Sequence, residues 1–231
     1  MDASVAAVLL AGFTLGLRHA LDADHLAAMS TFVSREATVA RSCLLGAFWG
    51  LGHTAALLAA GVATIAFKTA ISPAVEAAIE SAVALVLIVL GVHVGLRALA
   101  GLRVHDHAHV HDGVLHRHTH VHLGGGAGHR HVHLATLGRR PFLVGALHGL
   151  AGSAALMLLV LAAIPSPLTA LAYVLVFGAG STGGMVALSG LLGIPVALAA
   201  RTRSPKALVL LQVAAGLATA AVGVAMILER S

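Results

Sequence analysis

The chain has 231 residues and a formal net charge of +5; 58% of its residues are hydrophobic and 10% are charged. Soluble domains carry about 25% charged residues, so the composition excludes an ordinary soluble globular protein, and the single cysteine, Cys43, excludes a disulfide framework. Neither an aromatic platform nor a basic helix accompanies the positive charge, which therefore reads as a membrane-topology signal rather than a nucleic-acid footprint.

A bilayer core about 30 Å thick takes about 20 apolar residues in a helix. Six segments meet that requirement. The first runs from about Ala3 to Thr31. No basic region precedes it and polar residues interrupt it, so it reads as a retained helix and not a signal peptide. The second runs from about Cys43 to Phe67 and the third from Pro73 to about Ala100. The fourth follows Pro141 and ends before Pro165. The fifth runs from about Leu168 to Ala200, and the sixth from Pro205 to about Leu228. Pro73, Pro141, Pro167 and Pro205 each stand where a helix should start, where proline is tolerated. Pro195 stands where it would end or kink the fifth helix.

The 26 glycines crowd the second and fifth segments, at Gly46, Gly50 and Gly52 and at Gly178, Gly180, Gly183 and Gly184. Two readings are open: close helix packing, or local unwinding that offers backbone groups to a substrate.

Counting Lys and Arg, one side of the membrane collects Arg35 and Arg41, the six arginines from Arg97 to Arg140, and Arg201, Arg203 and Lys206. The other side collects Lys68 and Arg230. The positive-inside rule then puts the long middle loop in the cytoplasm and both termini outside.

The sequence also echoes itself in order. His19-Ala20-Leu21 is answered by His148-Gly149-Leu150. Gly50-Leu51-Gly52-His53-Thr54 is answered by Gly178-Ala179-Gly180-Ser181-Thr182, and Ser72-Pro73 by Ser204-Pro205. Three spans per half is an odd number, so the second half must be inverted. The expected fold is an all-α polytopic membrane protein. Residues 1–100 and 140–231 form two inverted three-helix repeats, and a His-rich cytoplasmic loop, residues 101–139, joins them.

The first segment carries Arg18-His19-Ala20-Leu21-Asp22-Ala23-Asp24-His25, with five ionisable side chains. One charge near the bilayer centre costs about 2.5–3.5 kcal/mol on insertion scales, so such residues mark a functional site. On a straight helix His19, Asp22 and His25 share a stripe, Arg18 and Asp22 are one turn apart, and Asp24 points away. Two imidazoles with one or two carboxylates make a nitrogen/oxygen site for a borderline cation such as Ni²⁺, Co²⁺ or Zn²⁺. His53 in the second segment is the natural third imidazole, and His148 its candidate counterpart in the second half. Ser153, Ser181 and Thr182 could add hydroxyl oxygens. A proton relay is the competing use of the same residues.

In the middle loop, 11 of the chain's 16 histidines lie between His105 and His133, mostly as His-x-His. This composition reads as metal binding, on a tract expected to be disordered without ligand. Several weak sites on one tether would raise the local metal concentration.

These residues resemble the nickel/cobalt transporter superfamily, in particular its short, six-helix, urease-accessory-like branch. The family motif, His, four residues, then Asp-His, stands here as His19-Ala20-Leu21-Asp22-Ala23-Asp24-His25. The next motif, Leu-Gly-His followed by Ser or Thr, stands as Leu51-Gly52-His53-Thr54. The resemblance implies that His19, Asp24, His25 and His53 select the metal. It also implies a bent or unwound first helix between Asp22 and His25, since Asp24 must otherwise face away. Larger importers of the family place a carboxylate where this chain has His148-Gly149-Leu150-Ala151-Gly152-Ser153.

The resulting expectation is a secondary transporter of Ni²⁺ or Co²⁺ in an inner membrane, with the ion as substrate and no catalytic role. No phosphate-cradling Gly-x-x-x-x-Gly-Lys-Ser/Thr motif is present, so potential, protons or a partner would supply the driving force. Export, and metal delivery to maturation proteins of a nickel enzyme such as urease, are the rivals. An intramembrane serine hydrolase would leave the five ionisable groups of the first segment unexplained.

Overall fold

The computed structural model describes residues 3–67, 72–100, 104–111, 114–121, 134–151, 164 and 166–229. In chain order the elements are α1 (Ala3–His19), α2 (Ala23–Val33), α3 (Val39–Phe67), α4 (Pro73–Ala100), β1 (Val104–His111) and β2 (Val114–Val121). They are followed by α5 (Leu134–Gly149), α6 (Pro167–Arg201) and α7 (Pro205–Leu228). α3, α4, α6 and α7 are each long and apolar enough to cross a membrane. α1 and α2 together are long and apolar enough to form either a broken span or a re-entrant loop, with a bend of 56° between them. The chain is thus a polytopic, predominantly helical membrane protein. Most of the fourth expected segment, residues 152–163, lies outside the described residues.

Three helices start on a Ser-Pro pair. Pro73, Pro167 and Pro205 are first residues, and the hydroxyls of Ser72, Ser166 and Ser204 accept from the amides of Val75, Thr169 and Ala207. Proline gives up an amide that has no partner at a helix start, and the serine satisfies another. Pro141 departs from the expectation. α5 starts at Leu134, inside the stretch assigned to the loop, and Pro141 lies within it. Pro195 likewise lies inside α6, which continues to Arg201. Interior prolines are tolerated in membrane helices because neighbouring groups re-satisfy the freed carbonyl.

The unwinding reading of the glycines is also corrected. α3 and α6 run unbroken through Gly50–Gly52 and Gly178–Gly184. The glycines serve close approach instead. Gly16 sits against the carbonyl of Phe177, and Gly180 against that of Phe13. Gly145 sits against the carbonyl of Trp49, and Gly52 against that of Phe142. A Cβ at any of the four would collide with backbone, which cannot swing aside. In the sequence echo, Phe13 and Gly16 correspond to Phe142 and Gly145, and Trp49 and Gly52 to Phe177 and Gly180. The second pair of contacts is therefore the first with partners exchanged. The same holds for Gly50 against Thr182 and Gly178 against Thr54, and for Gly91 against Gly216 and Gly223 against Ala84.

Accordingly α3 packs along α6 and α5, α1 along α6, and α4 along α7. The largest buried cluster gathers Met29, Trp49, Leu87 and Met185 from α2, α3, α4 and α6. Small residues let these backbones meet where lipid offers no hydrophobic drive.

The expectation of disorder for the His-rich tract is not met at residues 104–111 and 114–121, and the remainder of the tract, with His122, His129, His131 and His133, lies outside the described residues. β1 and β2 form an antiparallel ladder that pairs Val104 with Val121 at one end and His111 with Val114 at the other. Regular alternation over eight residues suits a strand, and ladder pairing satisfies the backbone.

Candidate metal centre

The centre forms where α1 stops. The amides of Leu21 and Asp22 bond back to the carbonyls of Arg18 and His19 at 2.9 and 3.1 Å, a tight i to i+3 turn. Asp22 then adopts an extended conformation and opens α2. The break takes Asp22 off the turn above Arg18, and it lies at residues 20–22, earlier than the expected bend between Asp22 and His25. α5 ends in the same turn: the amides of Leu150 and Ala151 bond to the carbonyls of Leu147 and His148 at 3.3 and 3.1 Å. His19 and His148 thus occupy matching places at two helix ends.

The break sorts the two carboxylates. Asp22, half exposed, accepts from Nδ1 of His19 at 2.6 Å. Asp24 no longer points away: its Oδ1 accepts from Nδ1 of His25 at 2.9 Å, and its Oδ2 lies 4.0 Å from Nε2 of His148. Nδ1 of His148 donates to the carbonyl of Val144 at 3.0 Å. In each of these three imidazoles Nδ1 faces an acceptor, so Nδ1 carries the proton and Nε2 keeps its lone pair. That is the orientation of metal-ligating histidines, whose second nitrogen is held by a carboxylate or a carbonyl.

Three of the imidazoles, His19, His25 and His53, come together. His25, His53 and His148 are fully buried. His25 is central, with ring centroids 4.6 Å from His19, 5.3 Å from His53 and 5.5 Å from His148. Nε2 of His19, His25 and His148 and both ring nitrogens of His53 have no hydrogen-bond partner. One ligand atom each from His19, His25 and His53 lie within 4.8 Å of one another, as do those of Asp22, Asp24 and His25. Around one ion with bonds near 2.0–2.1 Å, donors stand about 3–3.5 Å apart, so a contraction of the order of 1 Å closes either set.

Of the oxygen donors expected, Ser181 is fully buried with an unpartnered Oγ. Thr182 is engaged with Thr54, and Ser153 lies outside the described residues. Two walls of the centre escaped the sequence reading. The Trp49 ring lies tilted 4.7 Å from His148 and edge-on 6.2 Å from His25, and Phe177 lies 5.6 Å from His19. Trp49 is one helical turn before His53, so the i, i+4 spacing was the available signal.

A donor set of buried imidazoles and carboxylates inside a membrane bundle is matched by similarity in sequence. The family described as high-affinity nickel-transport protein, NicO, matches residues 5–229. The chain belongs to this family. The NicO chain is also 37% identical over 194 residues to the urease accessory protein UreH of Bacillus sp. (strain TB-90). That alignment covers 84% of the chain and 79% of the relative. No solved structure matches. Membership makes this NicO chain a membrane protein of nickel transport and not an enzyme, and its centre a place to look for a metal substrate.

Proposed function

We propose that the protein is a secondary transporter that moves Ni²⁺ or Co²⁺ across an inner membrane. His19, His25 and His53 would hold the partly dehydrated ion. Asp22 and Asp24 would fix the first two imidazoles and join the coordination as the ion passes, and His148 would extend the donor set beyond Asp24. The observation that carries this reading is the convergence of buried imidazole nitrogens left without partners. Unpartnered polar atoms in lipid are costly, and a cation between them removes that cost.

The reading includes two inverted three-helix halves that rock about the centre. In its support, contacts between the halves recur with partners exchanged, and the turn after His19 is repeated after His148. Such repeats place a substrate at their interface and expose it to each side in turn. The Lys and Arg distribution favours cytoplasmic placement of residues 101–139, with both termini outside. There the His-rich segment would collect or buffer the ion.

A second reading is favoured by the similarity to the urease accessory protein of Bacillus: the same centre could hand nickel to maturation proteins of a nickel enzyme such as urease. Proteoliposomes holding the purified protein decide between them. Transport predicts nickel flux that His25→Ala abolishes while the variant stays in the membrane. Binding without flux would favour delivery, and wild-type flux by His25→Ala would overturn the site. In cells given trace nickel, accumulation indicates import, and depletion with resistance indicates export.

A further inference from the structure

We propose that Ser181 is a specificity-determining residue: its hydroxyl holds a water ligand on the ion at the imidazole cluster and shifts the balance toward Ni²⁺ and away from Zn²⁺. The inference rests on reading His19, His25 and His53 as the nitrogen ligands of the ion.

Ser181 and Ser189 of α6 are both fully buried, yet they differ. Ser189 donates to the carbonyl of Met185 at 2.6 Å, the back-bond by which a helical serine satisfies itself. The hydroxyl of Ser181 makes no such bond and has no partner among the described residues. An unpartnered hydroxyl buried in a membrane bundle is costly, and a ligand that pairs with it removes the cost.

The neighbours of Ser181 put it beside the cluster. Phe177, Ser181 and Gly184 are four and three residues apart and share one stripe of α6. The ring of Phe177 lies 5.6 Å from that of His19. The backbone amide of Ser181 sits against Gly16, and Gly184 against the side chain of Ala20. The stripe thus runs along the turn of α1 that contains His19. The next residue, Thr182, meets Thr54, which follows His53. In the sequence echo Ser181 is the counterpart of His53, so where the first half presents an imidazole the second presents a hydroxyl.

That exchange bears on the choice of ion. A hydroxyl has lone pairs that accept from a metal-bound water. Zn²⁺ is satisfied by a tetrahedron of three protein ligands and one other. Ni²⁺ takes a tetragonal shell of nitrogen and oxygen donors, with positions that a three-imidazole set leaves open. An acceptor fixed in the wall for water on one of those positions stabilises the larger shell more than the tetrahedral one, as groups behind the ligands tune a metal elsewhere.

The test uses the full chain in lipid nanodiscs and compares Ser181→Ala with Ser189→Ala, which deletes an equally buried hydroxyl of the same helix. Alanine is smaller than serine and the better helix former, so both variants keep the fold. Only the part of each signal that His25→Ala abolishes is read, which removes metal held elsewhere on the chain. The ratio of Ni²⁺ to Zn²⁺ affinity should fall by about tenfold in Ser181→Ala and stay unchanged in Ser189→Ala. Co²⁺ reports the geometry, since its visible absorption is weak in an octahedral shell and strong in a tetrahedral one. Ser181→Ala should therefore intensify the Co²⁺ bands. An unchanged ratio with an unchanged spectrum would overturn the role of Ser181 and leave the cluster standing. An equal fall in Ser189→Ala would reduce the effect to packing and overturn it as well. No His25-dependent signal in the unsubstituted chain would overturn the cluster itself, and the inference with it.

Discussion

Nδ1 of His25 donates to Oδ1 of Asp24 at 2.9 Å while Nε2 of the same ring is buried and unpartnered. The carboxylate of the family motif thus holds the imidazole that lies at the centre of the cluster. Its second oxygen lies 4.0 Å from Nε2 of His148. Removing a carboxylate that orients a metal-ligating histidine typically costs 10–100-fold in affinity. Asp24→Asn should therefore weaken nickel binding by about 10–100-fold, with the centre still assembled. Asp22→Asn should cost less, because Asp22 is half exposed and water can replace it on His19. Isothermal titration of the two variants with Ni²⁺ checks this. A loss for Asp24→Asn as complete as that for His25→Ala would make Asp24 a direct ligand.

His148 and His53 are equally buried but differently placed. His53 shares a three-imidazole set with His19 and His25, and its ring is held by no hydrogen bond. His148 is pinned by Val144 and stands beyond Asp24. His53→Ala should abolish nickel flux. His148→Ala should reduce it and leave measurable binding, because the three-imidazole set survives. The ranking is read from initial uptake rates and affinities measured on one preparation. Equal abolition would place His148 in the same coordination sphere.

The sequence carried the donors better than their arrangement. His19, Asp24, His25 and His53 could be chosen from two short motifs, and the apolar segments from hydropathy. A straight-helix projection then misplaced Asp24, because nothing apolar marks the break at residues 20–22. The available sign was Asp22 before Ala23-Asp24: an N-cap residue followed by an acid in the first turn. In the structure Asp22 makes no cap bond and turns to His19 instead. The tract after Ala100 was weighed by composition, although its alternation and Asp112-Gly113 are hairpin signals. Proline marks a helix start at Pro141 and a helix end or kink at Pro195 by sequence rules, yet both lie inside helices, as membrane helices tolerate.

The glycines divide sharply by surroundings. A Cβ at Gly180 would strike the carbonyl of Phe13, whereas one at Gly183 would meet nothing within 4 Å. Gly180→Ala should separate α1 from α6, destabilising the protein by about 1–3 kcal/mol or more. Gly183→Ala should be neutral or slightly stabilising, since alanine is the better helix former. Thermal unfolding of both variants in detergent, followed by size-exclusion chromatography, checks the contrast. Equal behaviour would show that α1 and α6 can slide apart without cost.

Thr54 and Thr182, equivalent residues of the echo, meet at 3.2 Å, and Thr54 also donates to the carbonyl of Gly178 at 3.2 Å. A hydroxyl pair where α3 and α6 cross should couple the two helices. Interhelical hydrogen bonds in membranes average about 0.6 kcal/mol by double-mutant cycles. Thr54→Val, Thr182→Val and the double variant should therefore show a coupling of about 0.5–1 kcal/mol. The double variant would cost less than the sum of the singles. Because both residues lie one position from buried groups of the centre, His53 and Ser181, the same cycle should be run on nickel affinity. A hinge between two rocking halves predicts coupling in flux rates with binding little changed. A purely static contact predicts coupling in stability alone, and additivity in both would remove these threonines from the interface that links the halves.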